Sequence, residues 1–90
     1  MKRQYTVGQH VIFIDEHFQR HDALIQHWWP AENVPQYVNE KGEPGCNLVF
    51  VSADPKRDDS YGRQTEHATS VVHKSMNPAR GYCWCWPDEV

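Results

Sequence analysis

The sequence predicts an all-β domain, a small open barrel of about five antiparallel strands with short hairpins and two long loops. Three observations predict it. Runs of β-branched and aromatic residues recur along the chain, the clearest being Asn47-Leu48-Val49-Phe50-Val51-Ser52. Pro and Gly punctuate the intervals between these runs. No segment carries the 3.6-residue hydrophobic period of an amphipathic helix. Ninety residues make one domain, spanning 1–90.

The first strand lies within Tyr5 to Asp15, where Val11 and Phe13 take one face and Ile12 and Ile14 the other. Both faces should therefore be partly covered. Residues 15–19 form a hairpin connection, although it lacks the Gly that a tight turn favours. Ala23 to Trp28 is the return strand, and Pro30 ends it. Residues 30–45, with Pro30, Pro35, Gly42, Pro44 and Gly45, form a long loop with a short extended piece at Gln36-Tyr37-Val38. After the strand at 47–52, Asp54-Pro55 opens a second polar loop running to Arg63. Gln64 to His73 is the fourth strand, and 77–81 a turn. The last strand is Tyr82-Cys83-Trp84-Cys85-Trp86, closed by Pro87. Strand alternation puts Cys83 and Cys85 on one face and Tyr82, Trp84 and Trp86 on the other.

Val7-Gly8-Gln9-His10-Val11-Ile12-Phe13, followed by His21-Asp22-Ala23-Leu24-Ile25, resembles the opening hairpin of SH3-like barrels of the KOW and Tudor kind. The later half of the chain is similar to small proteins of tailed bacteriophages. The segments that carry this likeness are 47–51, Tyr61-Gly62-Arg63-Gln64, 69–73 and Trp84-x-Trp86-Pro87-Asp88-Glu89. That resemblance implies a host-directed role in the host cytoplasm, such as inhibiting a host defence, and no known activity.

Composition narrows the function classes. The net charge is −3, and Lys2-Arg3 and Lys56-Arg57 are the longest basic runs. Duplex nucleic acid, which needs a basic face, is a poor partner. No stretch approaches the roughly 20 apolar residues of a membrane-spanning helix. Three cysteines, an odd number, with a polar N-terminus point to free thiols in a reducing cytoplasm. Six histidines would turn the charge positive on mild acidification.

Metal and catalytic sets are weak in this sequence. Cys46, Cys83 and Cys85 with one of His10, His67 or His73 would make a Cys3His zinc site, but Cys-x-Cys on a strand is not a knuckle spacing. Buried packing is the simpler role for the thiols. His17 and His21 have metal spacing only on a helix. Asp58-Asp59 falls short of the oxygen shell of a hard cation. A Cys–His nucleophile lacks a local signature, as do serine elbows and phosphate loops. The chain is therefore expected to be non-enzymatic, without cofactor or metal.

Ligand binding has more behind it. Trp28, Trp29, Tyr37, Tyr61, Tyr82, Trp84 and Trp86 together exceed what so small a barrel buries comfortably. Rings near Arg57, Arg63 and Arg80, with Asn33, Asn47 and Asn77, would suit a nucleotide-like molecule through stacking and guanidinium–phosphate pairing. The expected ligand-binding residues are Trp28, Trp29, Tyr61, Arg63, Arg80 and Trp84, set against a plainly structural reading. In that reading Trp84 and Trp86 are core, Trp28-Trp29 caps the barrel, Tyr61 packs down and Arg63 pairs with Asp58 or Asp59. The expected function is a phage-type binding module acting on a host protein or sequestering a nucleotide-like signal, with a homo-oligomer where subunits share a cleft. The alternative is a structural assembly or virion component that uses its aromatic surface as a subunit interface.

Overall fold

The structure, a computed structural model, describes residues 5–29, 36, 38–76 and 79–89. Its strands are β1 (His10–Ile14), β2 (Arg20–Trp28), β3 (Cys46–Val51), β4 (Asp58–Asp59), β5 (Gly62–Arg63), β6 (Thr65–His73) and β7 (Cys83–Cys85). No α-helix occurs among the described residues, and short 3₁₀ turns lie at Lys74–Met76 and Pro87–Glu89. Five strands form the barrel in the order β1-β2-β3-β6-β7.

Two features depart from the sequence expectation. The barrel is closed rather than open, because β7 pairs back onto β1, with Ile12 opposite Cys85 and Ile14 opposite Cys83. The strands are also not all antiparallel: β6 and β7 run parallel, with Val72 opposite Cys83 and His73 opposite Trp84. The connection between them carries the chain back through the Lys74–Met76 turn, as a parallel pair requires. The second long loop also holds a small hairpin, β4–β5, with Asp58 opposite Arg63 and Asp59 opposite Gly62. Of the first loop, only 36 and 38–45 are described, so the Gln36-Tyr37-Val38 piece falls partly outside the described residues.

The core follows from alternation. Val11 and Phe13 of β1, Ala23 and Ile25 of β2, Cys46 and Leu48 of β3, Ala68 and Val71 of β6, and Trp84 and Trp86 pack together inside the barrel. Tyr5 closes one end, its ring 5.5 Å from Trp86, 6.2 Å from Trp84 and 6.3 Å from Trp28. Ile12 is also buried, so both faces of β1 are covered, as its sequence indicates. The C-terminal turn packs on β1 and the Lys74–Met76 turn on β7. Both indole N–H groups find partners on the first long loop: Trp84 donates to the Pro44 carbonyl (2.9 Å) and Trp86 to Glu43 Oε2 (2.6 Å). Buried indoles require such an acceptor, and here they fix the loop to the barrel.

Candidate functional site

The barrel presents a cavity at the end where β1 and β3 finish and β2 and β6 begin. Its aromatic wall is a continuous chain of rings. Tyr82 stands perpendicular to Phe13 with centroids 5.5 Å apart, Phe13 lies 5.0 Å from Phe50, and Phe50 lies 4.8 Å from His21. Phe13 is the buried floor, Phe50 and His21 are half-buried, and Tyr82 is exposed. The cavity measures about 250 Å³, and Asp15, Glu16, Asp54 and Glu66 line it with these rings. No Lys or Arg lines it among the described residues.

The local sequence explains how each group is held. Asp15 ends the first strand, and its Oδ1 accepts the N–H groups of His17 (2.8 Å) and Gln19 (2.9 Å), tying the hairpin turn. Its Oδ2 takes the His21 ring at 2.8 Å. Burial alone would raise the Asp15 carboxyl, but the His21 hydrogen bond, these N–H donors and the His21 charge together hold it below its ordinary value. The turn has Phe18, not Gly, in the left-handed region at φ 62°, with its ring exposed. Glu66 accepts the Ser52 hydroxyl and faces Arg57 Nη1 at 3.5 Å. Asp54 Oδ1 accepts the Lys56 N–H.

Tyr82 is placed by a backbone that its residue type resists. Its φ of 52° takes it out of β7 and aims its hydroxyl at Thr69, where it donates to the carbonyl (3.0 Å) and accepts the N–H (3.2 Å). A bulky residue at positive φ persists only where its surroundings over-determine it, and such strain concentrates at functional sites.

The residues expected to bind a ligand do not come together. Trp84 has no accessible surface: it is a core side chain, edge-on to His73 at 5.0 Å, and cannot stack on a ligand. Trp28 is half-buried against Tyr5, opposite Cys46 at the start of β3. Trp29 stands perpendicular to His27, and its main-chain N–H donates to the Gly45 carbonyl. Tyr61 and Arg63 lie beyond the other end of β3, because Arg63 Nη1 donates to the Ser52 carbonyl. Arg63 also pairs with Asp58 at 2.8 Å, the partner its structural reading supplies. Tyr61 does not pack down: it is 98% exposed at the tip of the β4–β5 hairpin. Arg80 is exposed beside Gly81. Asn33 and Asn77 lie outside the described residues.

The thiols do not converge either. Cys46 points into the core and donates to the Pro44 carbonyl at 3.6 Å, whereas Cys83 and Cys85 alternate with Trp84 and face the other side of the barrel wall. Burial pushes the Cys46 thiol up to about 12 and raises Cys83 and Cys85 too, with Cys85 adding to the rise at Cys83. None is an activated nucleophile.

Sequence reading missed the cavity because its rings sit on separate strands and serve as core and wall at once. A signal did exist. Phe13 and Phe50 each stand near the end of a strand with an acidic residue just beyond, Asp15 and Asp54. A second cluster, His73 with Glu43 and Glu89, was also not anticipated; its candidate ligand atoms lie within 4.8 Å of one another. No protein-family model, curated protein or solved structure matches this chain.

Proposed function

We propose that this protein is a non-enzymatic binding domain whose barrel-end cavity captures a cationic side chain of a partner protein. The sequence resemblance read from segments 47–51, 61–64, 69–73 and 84–89 would make that partner a host protein. One observation carries the reading: the Tyr82, Phe13 and Phe50 rings and the carboxylates of Asp15, Glu16, Asp54 and Glu66 line the same cavity. Ring faces attract a cation through their quadrupole, and carboxylates pair with it directly. The size agrees, since about 250 Å³ is below the roughly 300–1,000 Å³ of drug-sized ligand sites but suits one side chain.

A nucleotide fits less well. Phosphates would meet Asp15, Glu16, Asp54 and Glu66, and the rings and guanidinium groups expected to grip a nucleotide lie apart. The burial and raised pKa of the three thiols weigh against a cysteine nucleophile.

The test is an NMR titration with short peptides carrying one Arg or one Lys, matched Ala peptides and a nucleotide panel. The cationic peptides should shift the ring signals of Phe13, Phe50 and Tyr82, and Glu16→Gln with Asp54→Asn should weaken binding. Saturable nucleotide binding without any response to the basic peptides would refute the reading.

A further inference from the structure

At the site where the first long loop, the end of β6 and the C-terminal turn meet, Glu43, His73 and Glu89 bring together an imidazole and two carboxylates from distant parts of the sequence. We propose that these three residues form a binding site for a divalent transition-metal ion, with zinc as its natural probe.

The geometry carries this. His73 Nε2 lies 2.9 Å from Glu89 Oε1 and 3.5 Å from Glu43 Oε1. Neighbouring ligands of a tetrahedral ion with bonds of about 2.0 Å stand about 3.3 Å apart, between those two distances. One imidazole and two carboxylates suit zinc and its neighbours better than the all-oxygen shell of calcium or magnesium does. The fourth position is left to solvent or a small ligand, and His73 lines two cavities, one shared with Glu43 and the other with Glu89.

The supporting shell is built. Glu43 is 7% exposed, and its carboxylate takes Trp86 Nε1 on Oε2 and Asn39 Nδ2 (2.8 Å) on Oε1. Asn39 is itself oriented by the N–H groups of Lys41 and Glu43, which its Oδ1 accepts. Glu89 Oε1 accepts the Trp86 N–H at 2.8 Å. Such outer hydrogen bonds aim metal ligands. The nearby Lys74 ammonium donates to the Glu89 main-chain carbonyl at 2.7 Å.

The other face of the His73 ring is held as well: its Nδ1 lies 3.2 Å from the Ser75 main-chain N, 3.0 Å from the Ser75 hydroxyl and 3.3 Å from Asn39 Nδ2, contacts that turn Nε2 toward the two carboxylates.

The experiment uses the full chain, stripped with chelator and titrated with Zn²⁺ and then Co²⁺. Trp84, 5.0 Å from His73, and Trp86, bonded to Glu43, report through fluorescence. One Zn²⁺ per chain should bind, change the tryptophan emission and raise the melting temperature. The Co²⁺ form should show ligand-field bands without a sulfur charge-transfer band. Glu89→Gln keeps an acceptor for the Trp86 N–H and should bind at least about tenfold more weakly. A folded wild-type chain that takes up no ion overturns the proposal, as does equal affinity in Glu89→Gln or a sulfur band that assigns the ion to the thiols.

Discussion

Gly81 occupies a position where any side chain collides. Its φ is 72°, and a Cβ there would lie 2.3 Å from the Asp15 carbonyl oxygen. The turn before β7 thus rests directly on the β1–β2 turn that borders the barrel-end cavity. Gly81→Ala should destabilise the fold by roughly 2–3 kcal/mol, combining left-handed strain with forced separation of the two turns. Gly8 is a built-in control, because its φ is 90° but nothing lies within 4 Å of its Cβ position. Gly8→Ala should cost only about 1 kcal/mol. Urea unfolding of both variants separates the terms; equal losses would refute the contact argument. Sequence shows Gly81 at the end of a turn, but not what that turn approaches. The same limit applies to Trp84, whose place on an alternating strand is legible while the side facing the core is not.

At the scale of elements, the strands were legible because each buries alternate residues, and all five barrel strands fall close to where the β-branched and aromatic runs lie. Register irregularities were not. Between Cys46 and Leu48 of β3 the partners on β6 jump from Val71 to Ala68, so β6 bulges at Thr69–Ser70. Ser70 takes φ 56°, and its N–H is satisfied by Asn47 Oδ1 at 3.0 Å. The Tyr82 hydroxyl serves Thr69 on the same bulge. Two side chains from β3 and the pre-β7 turn therefore complete a ladder that the backbone leaves unfinished. Asn47→Ala should cost about 1 kcal/mol and speed hydrogen exchange at the Ser70 amide, without altering the cavity rings. Unchanged exchange at Ser70 would show that the bond contributes nothing. Neither the bulge nor the parallel β6–β7 pairing leaves a local pattern, since both depend on how the sheet closes.

For the whole molecule, two carboxylates link ionisation to folding at separate sites. Burial would raise both Asp15 and Glu89, but hydrogen bonds from His21 and His73, backbone N–H groups and the histidine charges bring each below its ordinary value. A carboxyl depressed in the folded state stabilises it above the unfolded-state range, and that stabilisation is lost as pH falls through the depressed value. Unfolding free energy should therefore hold near neutrality and decline below about pH 5. The site residues explain why this was invisible in the sequence: Asp15 pairs with His21 within one hairpin, but Glu89 pairs with His73 only once β6 and the C-terminal turn are packed. Asp15→Asn isolates one contribution. Its amide oxygen can still accept the N–H groups of His17 and Gln19, so the turn survives while the charge is lost. The variant should be less stable than wild type at pH 7, and the two urea midpoints should converge as pH approaches 3. Parallel curves across that range would mean that the Asp15–His21 pair positions the turn without linking its stability to pH.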